Sequence, residues 1–409
     1  MKNLSLSSRI FLITVLLFGA LTYLLFGEIF YYRLTGRGEE RLFFSFPTKV
    51  DSENRAKAKF PSKLDARFPK DFDIFFNDAF PFRSKLIKRF FKLRVLLSDN
   101  PNVIPGKENW FFFNSSSLDI YKKTNNTLGD FTGKTLLNDT DKETFTRHMA
   151  CQKKFFDGLG MQFVIMTPPN RKPVYPEHLP ERYRNQGVAY GRYEQVADIL
   201  KSLGIDFVDE KAALINNKDK GELYYKTDTH WTFLGAHYGF AALAKHFGYD
   251  FPPVVSVNRT TIECGDMYRM SASLVKTCAD VSDTPVLPPV KAEGKCDLAD
   301  TKRVVCENAE APVQKSVVIV RDSMFDFLYP QVARTFKKTL LLWRSKHTER
   351  ELAEEIKASG ADAVIYEQGE RFMLEMQNEA ICPDAIIKVP RLDQRPPADA
   401  RKGRKGVEK

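Results

Sequence analysis

Ser316-Val317-Val318-Ile319-Val320-Arg321-Asp322-Ser323-Met324 is the stretch on which the fold turns. Its first five residues are short and mostly β-branched, the composition of a strand buried on both faces of a parallel sheet. The apolar run stops at Arg321-Asp322, so a serine stands where the strand ends and the chain turns towards a helix. Open α/β sheets gather their reactive groups along that carboxyl edge. A serine hydroxyl is a weak nucleophile on its own and needs a neighbouring base held in one tautomer. Asp228-Thr229-His230-Trp231 supplies both parts, His230 to take the Ser323 proton and Asp228 to orient the imidazole. These three residues predict acyl transfer through Ser323.

The same strand-then-helix rhythm extends outward from the serine. Gln162-Phe163-Val164-Ile165-Met166 predicts a second buried strand, ending in Thr167-Pro168-Pro169-Asn170-Arg171 at the catalytic edge. Ile205–Val208, Thr339–Trp343 and Ala363–Tyr366 predict three more. Helices are predicted over 141–158, 190–203 and 232–247, with a Glu/Lys-rich helix before the last strand. Gly106 to Phe113 reads as a turn into an aromatic strand. Farther forward, 68–78 has roughly helical apolar spacing. A basic amphipathic helix follows over Arg83–Leu97, and it reads as packing on the sheet, with a membrane-surface role as the alternative. The alternation predicts a doubly wound, three-layer α/β domain over 63–390 around a central parallel sheet.

A hydrophobic fraction of 43% and an aromatic fraction of 12% over 409 residues exclude a disordered chain. The formal charge is +10, of which the tail 391–409 holds +4, from seven Lys/Arg against three Asp/Glu. That tail reads as a disordered basic end, with contact to acidic lipid or an anionic polymer as the sharper alternative. No nucleic-acid motif accompanies the charge, so no nucleic acid is expected as partner. Residues 10–27 carry no charge, enough for a span at about 1.5 Å per residue. Lys2 and Arg9 precede them, Tyr31 and Tyr32 follow, and no small-residue cleavage site comes after. This predicts a cytoplasmic N-terminus (1–9), an uncleaved transmembrane signal anchor (10–32) and a stem (33–62), with the bulk outside the cytoplasm. Cys264, Cys278, Cys296 and Cys306 crowd an insertion over 250–315, while Cys151 and Cys382 lie apart. None forms Cys-x-x-Cys, so disulfides in an oxidising compartment are expected, at least one of them within the cluster of four. The pairing is left open.

Several short blocks, in order, resemble the alginate O-acetyltransferase group, the AlgJ/AlgX-like members of the SGNH hydrolase superfamily. They are Ser52–Arg55, Asn77–Arg83, Gly106–Phe112, Thr167–Pro180, Asp228–Trp231, Gly265–Met267, Asp322-Ser323 and Glu367–Phe372. Asp-x-His precedes the serine here, which resembles the permuted order of that group. Two positions depart from its pattern. Asn109 stands where a glycine is usual, and the usual Gly-Asp-Ser reads Arg321-Asp322-Ser323. The resemblance implies an SGNH/flavodoxin-like fold and transfer of acetyl through Ser323 to hydroxyls of an exported polysaccharide, alginate-like or another envelope glycan. It implies a catalytic domain in the periplasm, held by a single pass in the bacterial inner membrane. A multi-pass membrane acyltransferase of the MBOAT type would be the acetyl donor. Tyr329, six residues after the serine, matches a position that group places in its active site. Asn170 and Arg171 end a strand at the catalytic edge and are candidates to orient substrate. Trp231 is a candidate sugar platform or a core residue, and Trp343 and Arg344 share that ambiguity. The other histidines lack partners at metal-ligand spacing, so neither metal nor cofactor is expected. A carbohydrate esterase with the same triad, and a weakly catalytic glycan-binding assembly protein, are the alternatives.

Overall fold

The computed structural model describes residues 61, 65–79, 89, 90, 93, 103–114, 126–271 and 279–383. The expected anchor, nearly all of the stem, most of the Arg83–Leu97 helix, Cys278 and the basic tail lie outside them. Among the described residues no helix is long and apolar enough to cross a membrane. The chain divides into two compact units, Met1–Leu93 and Arg94–Lys409. In the first, the described element is the helix Phe68–Ala79, where helical spacing was expected.

The second unit opens with a hairpin of β1 (Val103–Pro105) and β2 (Phe111–Phe113). The turn between them runs through Glu108 and Asn109 at φ of 53° and 65°. This left-handed region suits glycine, and asparagine among the other residues, which accounts for Asn109 at a position where glycine is usual. Then come β3 (Gln162–Met166) and β4 (Asp206–Val208), followed by a separate two-stranded sheet of β5 (Ser256–Ile262) and β6 (Asp280–Val286). The remaining strands are β7 (Lys295–Asp297), β8 (Arg303–Glu307), β9 (Val313–Arg321), β10 (Phe336–Trp343) and β11 (Ala363–Glu367).

The central sheet has seven strands in the order β4-β3-β11-β9-β10-β8-β7. The five from β4 to β10 are parallel, and β9 lies between β11 and β10. Side chains on β9 alternate between two cores. Val317 and Ile319 face one with the Phe233–His246 helix, while Val318 and Val320 face the other with the Asp139–Gly158, Arg192–Ser202 and Glu349–Ser359 helices. Burying each such aliphatic side chain stabilises by about 1.5–3 kcal/mol. A one-residue slip would exchange the faces of the whole strand, so the register that presents Ser323 is firmly set.

The expectation of a parallel central sheet needs correction, because the sheet is mixed. β8 pairs antiparallel with β10, and β7 pairs antiparallel with β8. The physical reason lies in Arg303-Val304-Val305-Cys306-Glu307. Val304 and Cys306 point into the core while Arg303 and Glu307 are exposed, the alternation of a one-sided antiparallel edge strand. The later part of the cysteine-bearing stretch is thus built into the main sheet. Cys296 and Cys306 sit directly opposite each other across β7 and β8 and form a disulfide, as expected of that cluster. A second disulfide joins Cys151 to Cys382 across 231 residues, and a loop of that size corresponds to roughly 5 kcal/mol in the chain-entropy view.

Candidate active site

The C-terminal ends of three adjacent strands, β3, β11 and β9, deliver Thr167–Arg171, Gln368–Arg371 and Asp322-Ser323 to one edge of the sheet. Asp322 fixes the turn after β9. Its carboxylate accepts from the N–H of Met324 at 2.7 Å and of Gly369 at 2.9 Å, and its own N–H donates to Glu367 at 2.9 Å. These bonds stitch the nucleophile turn to the end of β11. Burial and the neighbouring Asp322 charge push the Glu367 carboxyl well above the usual carboxylate range. The Ser323 N–H donates to no acceptor among the described residues and remains available for a developing oxyanion.

Ser323 Oγ lies 2.8 Å from His230 Nε2, and His230 Nδ1 lies 2.6 Å from Asp228 Oδ1. The sequence-predicted triad is therefore assembled from two loops 93 residues apart. Burial alone would raise the Asp228 carboxyl. The His230 hydrogen bond and charge, with N–H donation from Asp266 and His230, outweigh burial and hold it well below the carboxylate range. Asp228 is thus held as an anion, the state that orienting and stabilising an imidazolium would require.

The His230 loop is irregular and is held by side chains from elsewhere. Asp280, at the start of β6, accepts from Lys226 N at 3.0 Å, Thr227 N at 2.7 Å and Thr227 Oγ1 at 2.5 Å. Asp266 accepts from Thr229 N at 2.9 Å and Thr229 Oγ1 at 2.7 Å. A Cβ on Gly265 would meet the Asp228 side chain at 2.2–2.6 Å, so this approach requires glycine. Asp228, His230 and Asp266 place three possible ligand atoms within 4.8 Å of one another, a spacing compatible with a cation. The hydrogen bonds to His230 and Thr229 account for the same arrangement.

The other candidate residues divide. Asn170 and Arg171 line a cleft beside the triad, together with Thr229, Met324, Glu370 and Arg371. Asn170 donates its N–H to Glu370 at 2.6 Å. Arg171 donates to the carbonyls of Phe111, Lys226 (3.1 Å) and Asp228, which makes it a brace for the histidine loop. Trp231 is fully buried and donates its indole N–H to the Met324 carbonyl at 2.8 Å. Its place is in the core, tying the two catalytic loops together, and it offers no face to a sugar. Arg344 is buried against Glu349 and the Gln377 carbonyl, a structural position. The Tyr329 hydroxyl contacts Asp326 at 2.9 Å and Arg321 at 2.5 Å, with no hydrogen bond to Ser323.

Arg321 and Asp280 are the residues whose roles the sequence did not reveal. The Arg321 side chain is fully buried, with its guanidinium 4.4 Å from the Trp343 ring. It donates to the Thr301 carbonyl at 2.8 Å, the Asp322 carbonyl at 3.2 Å and Asp326 at 2.5 Å. A bulky residue before Asp322 therefore braces the nucleophile turn from behind. For Asp280 no sequence signal exists, because one aspartate at a strand start looks like any other.

Comparison with known proteins adds to this geometry. Residues 103–266 match the family described as "SGNH hydrolase-like domain, acetyltransferase AlgX". That span contains Asp228 and His230 and stops before Ser323. The chain is 32% identical over 77 residues to a probable alginate O-acetylase AlgJ of Pseudomonas aeruginosa, covering 19% of each protein. It is 22% identical over 207 residues to the protein of the same description in Pseudomonas syringae, covering 50% of this chain and 46% of the relative. The matches thus span less than half the length of either curated relative. Among solved structures, the O-acetyltransferase domain of Pseudomonas putida AlgJ aligns at 17% identity with a TM-score of 0.43, covering 67% of this chain and 92% of that one. Over residues 103–266 the chain is thus similar to the SGNH hydrolase-like acetyltransferase domain of AlgX, and over parts of its length to curated alginate O-acetylases described as AlgJ.

Proposed function

We propose that this protein is a membrane-anchored periplasmic O-acetyltransferase that acetylates hydroxyls of an exported polysaccharide through Ser323. The single observation that carries the reading is the hydrogen-bonded chain Ser323–His230–Asp228, at 2.8 and 2.6 Å. In the first half-reaction His230 Nε2 takes the Ser323 proton as Oγ attacks the carbonyl carbon of an acetyl ester. The free Ser323 N–H faces the negative charge that forms on the carbonyl oxygen. Collapse expels the donor's alkoxide, which takes the proton back from His230 and leaves acetyl on Ser323. In the second half-reaction His230 deprotonates an acceptor hydroxyl, whose oxygen attacks the acetyl-serine; collapse transfers acetyl to the acceptor and expels the Ser323 alkoxide, which takes the proton from His230. Asp228 stays ionised throughout and stabilises the imidazolium. A multi-pass membrane acyltransferase of the MBOAT type is the proposed donor. The uncharged run over 10–27 would keep the domain beside it in the inner membrane.

The test is intact-mass spectrometry of the protein mixed with an activated acetyl ester. An adduct of one acetyl at Ser323, lost faster when oligosaccharide is added, is the expected result. An adduct that decays to acetate at a rate indifferent to sugar would make the protein an esterase. No adduct would defeat acyl transfer altogether.

A further inference from the structure

Three carboxyl groups, Asp322, Glu367 and Glu210, act on one another around the nucleophile turn. Glu367 ends β11 and Glu210 opens the Glu210–Asn217 helix, and both are fully buried. Neither forms an ion pair among the described residues. Both carboxyl oxygens of Glu210 and Oε1 of Glu367 have no hydrogen-bond partner there either. Arg321 is the cation that acts on Glu367 through space. Its terminal donors are spent on Asp326, Tyr329 and the carbonyls of Thr301 and Asp322. An anion at Glu367 would therefore be desolvated, unpaired and set against the Asp322 charge. A neutral acid avoids all three and keeps the oxygen that accepts from the Asp322 N–H at 2.9 Å.

The Ser323 N–H lies between two peptide groups that are both pinned. Before it, the Asp322 N–H is held by Glu367. After it, the Met324 N–H is held by Asp322 Oδ1 at 2.7 Å, while Asp322 Oδ2 takes the Gly369 N–H at 2.9 Å. The direction of the Ser323 N–H is thus set by its neighbours, and Glu367 anchors the first of them. A donor stabilises an oxyanion best when its aim is fixed before the charge forms. A buried negative charge behind the turn would oppose the one forming on the carbonyl oxygen, so an uncharged anchor suits this place.

We infer that Glu367 is a positioning residue for acyl transfer, which as an uncharged acid holds the Asp322 peptide and so aims the Ser323 N–H at the developing oxyanion. This rests on the acyl-transfer reading above. Glu367 touches neither substrate nor Ser323 Oγ, and its effect passes through the backbone of Asp322.

The experiment follows acetyl-Ser323 formation from an activated acetyl ester by intact mass, in wild type, Glu367→Gln and Glu367→Leu, with thermal melting to show that each is folded. The glutamine carbonyl keeps the acceptor without a charge, so Glu367→Gln should retain most of the wild-type rate. Glu367→Leu removes the acceptor and should slow acetylation about 10- to 100-fold at saturating ester, with the half-saturating ester concentration little changed. Glu367→Gln as slow as Glu367→Leu would mean that an anion is needed, and overturns the inference. A folded Glu367→Leu as fast as wild type, or one impaired only in its half-saturating concentration, overturns it too. Infrared difference spectra of wild type against Glu367→Gln at neutral pH read the proton directly. A protonated-carboxyl band in wild type is the expected result, and its absence overturns the inference. Should Glu367→Leu fail to fold, amide hydrogen exchange in wild type decides. Slow exchange at Asp322 beside fast exchange at Ser323 supports the inference, and fast exchange at both overturns it. Wild-type protein that forms no acetyl-Ser323 defeats the acyl-transfer reading instead, while the infrared band still reports the state of Glu367.

Discussion

The loop that carries Ser323 and the loop that carries His230 meet at a 2.8 Å hydrogen bond, yet they are supported by different means. Ser323 follows the central strand of a packed sheet. Its turn is fixed by neighbours in that sheet, with Glu367 and Gly369 at the end of β11 and Arg321 at the end of β9. His230 sits on irregular backbone. Its loop is held by carboxylates from distant parts of the chain, Asp280 from β6 and Asp266 after β5, and by the Arg171 guanidinium from beyond β3. The difference separates chemistry from geometry. Changes at the serine should remove catalysis and spare the fold, whereas changes around the histidine should disturb both.

The sharpest way to break this contrast is Ser323→Ala. Acetyl transfer should fall to background, while stability changes by no more than about 1 kcal/mol, because a partly exposed hydroxyl contributes little packing. A large loss of thermal stability would show that the serine side is not the rigid partner. Asp228→Asn comes next. The amide favours the wrong imidazole tautomer, a change that costs about 10⁴-fold in serine proteases, and steady-state rates should fall by a similar order.

A smaller effect probes the histidine side alone. Asp280→Ala strips three donors of the His230 loop of their acceptor. It should destabilise the domain by roughly 2–3 kcal/mol and lower kcat about 10- to 100-fold. Urea melts that match wild type would remove Asp280 from the account. The smallest effect concerns pH. Burial first, then the Asp130 charge, pushes the Glu370 carboxyl up to about 7. Its folded value lies above the unfolded one, so the folded state holds the proton longer. Its contribution to stability is therefore fully present below about pH 4 and declines as pH rises to about 7. Glu370→Gln should flatten that decline, which melting curves across this interval would register. An unchanged slope would assign the pH dependence elsewhere.

The regular half of this comparison was legible in the sequence and the irregular half was not. Val317 to Val320 announce a buried strand because a run of apolar side chains has few other places to go. Ser323, His230 and Asp228 could be picked out together because a serine nucleophile would need those residue types, and the structure places them in one hydrogen-bonded chain. Arg321 was visible only as a departure from a glycine. That its guanidinium would turn back onto Trp343 and reach the Thr301 carbonyl depends on the β7–β8 hairpin lying alongside, which no local pattern encodes. The same holds for Asp280. A carboxylate that organises a loop 53 residues away leaves no periodicity to read. For Trp231 the sequence left a sugar platform and a core position both open, and the structure places its side chain in the core.

The bond between Cys151 and Cys382 has a consequence for how the domain can be taken apart. It closes most of the catalytic unit into a covalent ring that contains Asp228, His230, Ser323 and Arg371. A single peptide cut inside that ring yields two pieces that still travel together on a gel and separate only when thiols are supplied. The exposed hairpin turn around Leu298, between the cysteines of the second disulfide, is doubly protected in this sense. A protease in the surrounding medium could open it without releasing either strand from the sheet.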